Sequence, residues 1–133
     1  MFQTLDTLDI IRQHRRIRQY AINQFVSFAE ERYLKGMKRM IELEHFTEIN
    51  GCINTFNGYN ALIVAVLKKH YKIVKYLLSI GADIYHETSH GYTAVYYSRI
   101  SGNQHLERYL IKKYNNKKLN INNNGILQTQ ETR

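Results

Sequence analysis

The chain has 133 residues, 44% of them hydrophobic and 23% charged, the balance of a single globular domain that can bury a core without a metal or disulfide staple. Cys52 is the only cysteine, which excludes an intramolecular disulfide, and no stretch reaches the roughly 18 apolar residues of a membrane span. The 19 Lys and Arg against 11 Asp and Glu give a net charge of +8, which favours acidic partners without choosing among protein, nucleic acid and anionic membrane.

From the amino terminus, Leu5, Leu8, Ile11 and Ile17 alternate with Asp6, Asp9, Arg12, Arg15 and Arg16 and read as a helix, without the apolar centre of a secretory signal. Leu34, Met37, Met40, Ile41, Leu43 and Phe46 form a second helical apolar face. Further on, Ala61, Leu62, Ala65 and Val66 recur at i, i+1, i+4 and i+5, and Ile73, Val74, Leu77 and Leu78 repeat that pattern. Each set is one apolar stripe on a short helix, and two such helices cannot bury both stripes by themselves. Gly81 follows the second stripe, where a left-handed residue ends a helix. Asp83, Ser89 and Gly91 then supply turn chemistry for a connecting hairpin. Residues 116–133, rich in Asn and Lys, read as a frayed tail, with a partial hairpin over 118–125 as the alternative.

Self-similarity organises these elements. Gly58-Tyr59-Asn60-Ala61-Leu62 returns as Gly91-Tyr92-Thr93-Ala94-Val95, an offset of 33 (91 − 58), and the same offset carries Ile73 onto Leu106 and Leu77 onto Leu110. Gly58, Ala61, Leu62, Ala65, His70, Ile73, Val74, Leu77, Leu78, Gly81, Ala82 and Asp83 stand in one register, and in that register the chain resembles the ankyrin repeat, a hairpin followed by two antiparallel helices. The resemblance implies an all-α ankyrin-repeat solenoid of stacked helix pairs with short hairpin loops over residues 1–115. It divides into a capping helix at 1–21, a degenerate repeat at 22–50, and repeats at 51–81 and 82–115, followed by the tail at 116–133. In the degenerate unit, Met40 and Ile41 lie 33 residues before Ile73 and Val74, which maps the two leucine positions onto Glu44 and His45. The family's Thr-Pro-Leu-His opening is altered, since there is no proline and Ile63 and Tyr96 occupy the histidine position. Lys69 stands where the family prefers the glycine found at Gly102, so that turn is expected to be distorted in one unit.

No set of residues converges on a reaction. His86 and His90 are four apart but fall in an expected hairpin, where that spacing does not aim two ligands at one metal, and His45 with Cys52 is no better. Cys52 reads as a small half-buried residue near a turn, and His70 braces the turn between helices if the resemblance holds. The glycines are spaced as repeat punctuation and not as a phosphate loop. No cofactor, metal or catalytic residue is assigned, and the expectation is a binding module and not an enzyme.

The resemblance implies partner contacts beside the hairpin glycines and along the ends of the first helices. These positions are Phe56, Asn57, Tyr59, Ser89, His90 and Tyr92 in the hairpins, with Leu67, Lys68, Ile100 and Ser101 on the helices. Phe56, Tyr59, His90 and Tyr92 would form an aromatic row, a side-chain type favoured at interfaces. Tyr59 and Tyr92 could equally stack on each other for stability, and Tyr96 and Tyr97 read as packing residues with solvated hydroxyls. The leading expectation is a cytoplasmic module, or one delivered into a host cell, that grips a protein of acidic or mixed surface as a host-targeting effector or an inhibitor. The alternative is a basic nucleic-acid- or anionic-membrane-binding protein, which requires the scattered Lys and Arg clusters to meet on one face.

Overall fold

A computed structural model describes residues 6–53 and 57–125. Among them are six helices: α1 (Thr7–Glu30), α2 (Leu34–Glu42), α3 (Ala61–Leu67), α4 (Tyr71–Ser79), α5 (Ala94–Ile100) and α6 (Gln104–Gly125). The described residues contain no strand, only an isolated antiparallel bridge between Cys52 and Asn60. The first helices pile up in order, α1 on α3 and α3 on α5, and each also packs on the second helix of its own pair. Phe25, Val26 and Ala29, then Ala61 through Val66, then Ala94, Tyr97 and Ser98 are buried along the first-helix layer. Met37 and Met40, Ile73, Val74 and Leu77, and Leu106 and Leu110 are buried from the second. Ala61 and Ala94 are both buried and both directly follow an N-cap, Asn60 and Thr93, so they occupy matching positions one layer apart. Small side chains here let neighbouring backbones approach, which is how stripes too short to stabilise a lone pair are buried cooperatively.

The turn inside each pair has one form. Arg32, Lys69 and Gly102 all adopt left-handed backbone, with φ of 63°, 60° and 76°. His70 N donates to Ala65 O at 2.9 Å, and Tyr33 N donates to Phe28 O at 2.8 Å in the same way. Lys69 therefore does not distort its turn; it accepts the conformation that costs Gly102 nothing. These landmarks also correct the register of the first unit. Arg32 and Lys69 are 37 residues apart (69 − 32), so Met37, Met40 and Ile41 correspond to Val74, Leu77 and Leu78, and the mapping onto Glu44 and His45 fails. Four extra residues are absorbed after α2, where His45 turns left-handed (φ 56°) and Phe46 N reaches back to Met40 O at 2.9 Å. Phe46 then packs on Phe25 with ring centroids 4.8 Å apart.

Both ends differ from expectation. The boundary at 21–22 between a capping helix and a degenerate repeat does not exist, because α1 is one helix of 24 residues. Asp6 Oδ1 caps it by accepting from Asp9 N at 2.8 Å, and neither glycine nor proline interrupts it. At about 1.5 Å per residue it is roughly 36 Å long, longer than the partner helices can cover. Leu8, Ile11 and Ile17 accordingly stay 60%, 39% and 66% exposed and do not close the end of the stack; Leu5 lies outside the described residues. The helix is tied to the body from Arg18, which pairs with Glu48 at 3.0 Å, and Gln19, whose amide donates to Cys52 O at 3.0 Å.

At the other end, α6 continues through Gly125, where a tail or hairpin was expected from about residue 116. Gly81, with φ of 96°, stops α4, but the corresponding residue one repeat later is Tyr114, which lets the helix run on. Tyr114 also anchors it, since its carbonyl accepts from the Tyr85 hydroxyl at 2.8 Å and the two rings meet edge to face.

Candidate functional site

The hairpins form one edge of the stack and are cross-linked by backbone N–H donors to one backbone and one side-chain oxygen. Ser89 N donates to Asn57 O at 3.0 Å, and Asp83 N donates to Asn50 Oδ1 at 2.7 Å. Gly58 has φ of 71°, and a Cβ there would come within 3.3 Å of Ser89 N, so both its backbone and its lack of side chain are needed. Asn60 is fully buried, and its Oδ1 accepts from Ile63 N at 2.9 Å, fixing how the first hairpin enters α3.

Between α1 and α3 this geometry leaves a groove of about 460 Å³. Asn23, Val26, Ser27 and Glu30 line it from α1, Val64, Leu67 and Lys68 from the end of α3, and Ile53 and Tyr59 from the hairpin. Of the residues expected to bind a partner, Tyr59, Leu67 and Lys68 gather here. The α1 residues were missed because they become visible only in the 37-residue register, where Asn23 matches Asn60 and Val26 matches Ile63. Asn57 lies at the hairpin edge, while Ser89, His90 and Tyr92 are exposed on the next hairpin. Tyr92 is 41% exposed and stacks face to face on Tyr96, with centroids 3.8 Å apart, and His90 stands 6.4 Å from it. Ile100 is 58% exposed at the end of α5, and Ser101 Oγ donates to Ser98 O at 3.0 Å. Phe56 lies outside the described residues.

Tyr59 and Tyr92 are joined through a third ring. Tyr97 meets Tyr59 edge-on at 5.7 Å and Tyr92 edge-on at 6.2 Å. Its hydroxyl is not solvated as expected: Tyr97 is buried and its OH lies 2.9 Å from Thr88 Oγ1. Burial, reinforced by the adjacent Tyr97 hydroxyl, pushes the Tyr59 pKa up, and burial with Tyr92 alongside does the same to Tyr96. The one available signal for Tyr97 was its equivalence, by the 33-residue offset, to the buried Val64. The inner surface is therefore aromatic but carries little charge. No residue of α3 is charged, and Arg99 of α5 is paired with Glu107 at 2.8 Å.

His86 and His90 diverge. His86 Nε2 lies 3.0 Å from Gly58 O and 3.3 Å from Sγ of Cys52, 34 residues away in sequence. A carbonyl only accepts, so Nε2 carries the proton and cannot take one from the thiol. Burial moreover pushes the Cys52 thiol up, away from the thiolate a nucleophile requires.

Helix pairs with left-handed inner turns, stacked so that first helices form one layer and hairpins one edge, define a helical-repeat solenoid. Within it, the family model of the ankyrin repeat matches residues 57–89, which span α3, α4 and the following hairpin. The chain carries an ankyrin repeat, and its helix pairs pack as ankyrin repeats do. No curated protein matches the chain. The ankyrin repeat is a generic protein–protein interaction module. No helix among the described residues is long and apolar enough to cross a membrane.

Proposed function

We propose that this chain is a non-catalytic module that holds a partner protein against its hairpin and first-helix face, anchored in the groove between α1 and α3. The observation that carries this reading is the composition of the groove: an apolar lining from Val26, Ile53, Tyr59, Val64 and Leu67, with one carboxylate, Glu30, and one ammonium, Lys68. Such a site takes an apolar side chain of the partner and fixes its orientation through mixed charges around it. Tyr92 and Ile100, already exposed and Tyr92 already held by Tyr96, extend the contact without much further ordering cost. Mechanism then means occlusion or tethering, the action of an effector on a host protein or of an inhibitor. The free, half-buried thiol of Cys52 suits a reducing compartment such as the cytoplasm.

The test is affinity capture at moderate salt with mass spectrometry, comparing the native chain with Leu67→Asp and Ile100→Asp. A defined protein retained by the native chain and weakened about 30-fold or more by Leu67→Asp supports the reading, that being the scale of a hot-spot residue. Equal retention by both variants, with unchanged folding, refutes it.

A further inference from the structure

The outer surface of the stack, built from α2, α4 and α6, concentrates the positive charge that the sequence shows only as separate runs. Ten of the 19 Lys and Arg lie on these helices, three on α2, two on α4 and five on α6, against two carboxylates, Glu42 and Glu107. Glu107 is already engaged by Arg99, so α4 and α6 face solvent as nearly pure cation. Lys38, Lys72, Lys75, Arg108, Lys112 and Lys113 are all exposed. The helices lie side by side, and contacts between them knit the charges into one surface. Lys38 of α2 sits 5.4 Å over the Tyr76 ring of α4, and Lys75 of α4 sits 4.7 Å over Tyr71 and 5.6 Å over Tyr109 of α6.

We infer that this outer face is a second binding surface, for the phosphate backbone of a nucleic-acid duplex. Three neighbouring helices at roughly 8–10 Å spacing make a face about 20 Å across. A duplex presents on the order of ten phosphates over that length, the same order as the cations available. The half-buried Tyr71, Tyr76 and Tyr109 each lie under a lysine, which hinders stacking of an unpaired base on them and favours duplex over single strand. A peripheral membrane site would add exposed apolar side chains, but among the described residues none of the large exposed hydrophobics falls within α2, α4 or the first fifteen residues of α6. Protein partners present both signs of charge, whereas this face offers almost one sign alone.

The experiment measures anisotropy of a short fluorescent duplex against salt for the full chain, for the triple variant K72Q/R108Q/K112Q and for an equally charged control, R12Q/R15Q/R16Q on α1. The native chain is expected to bind with affinity falling steeply between about 50 and 200 mM salt, and the outer-face triple variant to reduce the log–log slope by about 2–3 while the control leaves it near the native value. Circular dichroism confirms that both variants remain helical. Four results overturn the inference: no duplex binding at low salt, equal loss of slope in the control, tighter binding of single strand than duplex, or binding to vesicles containing phosphatidylserine in place of the duplex.

Discussion

The left-handed turns permit a quantitative test of how the repeats are held. Gly102 and Lys69 occupy the same position in successive units, and a Cβ built on Gly102 meets nothing within 4 Å. Gly102→Ala therefore reports backbone strain alone. Left-handed conformation costs a non-glycine residue about 1–2 kcal/mol, and removing glycine returns about 0.4–1 kcal/mol by restricting the unfolded chain. The net loss expected is about 0.5–1 kcal/mol. Lys69 is exposed and already bears this strain, so Lys69→Gly should gain about the same amount, or about 2–4 °C in Tm for a chain of this size. Lys69→Ala separates strain from charge, since it removes the ammonium yet keeps the Cβ, and it should show no such gain. Thermal unfolding followed by circular dichroism measures all three. Equal shifts for Lys69→Gly and Lys69→Ala, or a Gly102→Ala protein as stable as the native one, would refute the assignment of strain to this turn.

Tyr97→Phe removes the hydroxyl that meets Thr88 and leaves Thr88 Oγ1 only the long hydrogen bond that Tyr92 N donates at 3.4 Å, at a cost of about 0.5–1.5 kcal/mol readable as a shift in the urea midpoint. Gly36→Ala places a methyl group 2.5 Å from the Tyr33 ring and 2.8 Å from that of Phe28; it should destabilise the α1–α2 pair by about 1–3 kcal/mol, and an unchanged midpoint would count against that packing. Burial first, and then Arg32 and Lys68, hold His70 below its ordinary pKa of 6.5. The unfolded chain then binds more protons than the folded one as pH falls through about 6.5, so stability contributed above that pH is lost on acidification. His70→Gln should flatten this dependence when urea midpoints are compared above and below about pH 6.5, and an unchanged slope would show that other groups carry it.

Much of the fold was legible because burial in a repeat recurs at a fixed offset. The 33-residue recurrence of Gly58, Ala61 and Ile73 at Gly91, Ala94 and Leu106 identifies helix pairs that must stack, whereas Tyr59, Leu67 and Lys68, which line one groove, were named only through the resemblance to the ankyrin repeat. The first unit is not legible in this way since four extra residues after α2 shift its period to 37, and an offset of 33 sets Glu44 and His45 where Met40 and Ile41 pack. The lengths of α1 and α6 were hidden for a related reason. Repeat boundaries do not fix helix ends: Gly81 stops its helix, and Tyr114 at the equivalent place does not.

By itself the sequence determined which side of each helix is apolar and that one pair could not suffice, because hydrophobic period and turn residues act over a few residues of chain. The tertiary structure decided which side chains become neighbours across layers. Tyr97 joins Tyr59 to Tyr92, His86 reaches Cys52, and lysines distant in sequence meet over the tyrosines of adjacent helices. Those contacts depend on the rise and rotation from one layer to the next, a geometry set by backbone turns and core packing together, which no local pattern of residues encodes.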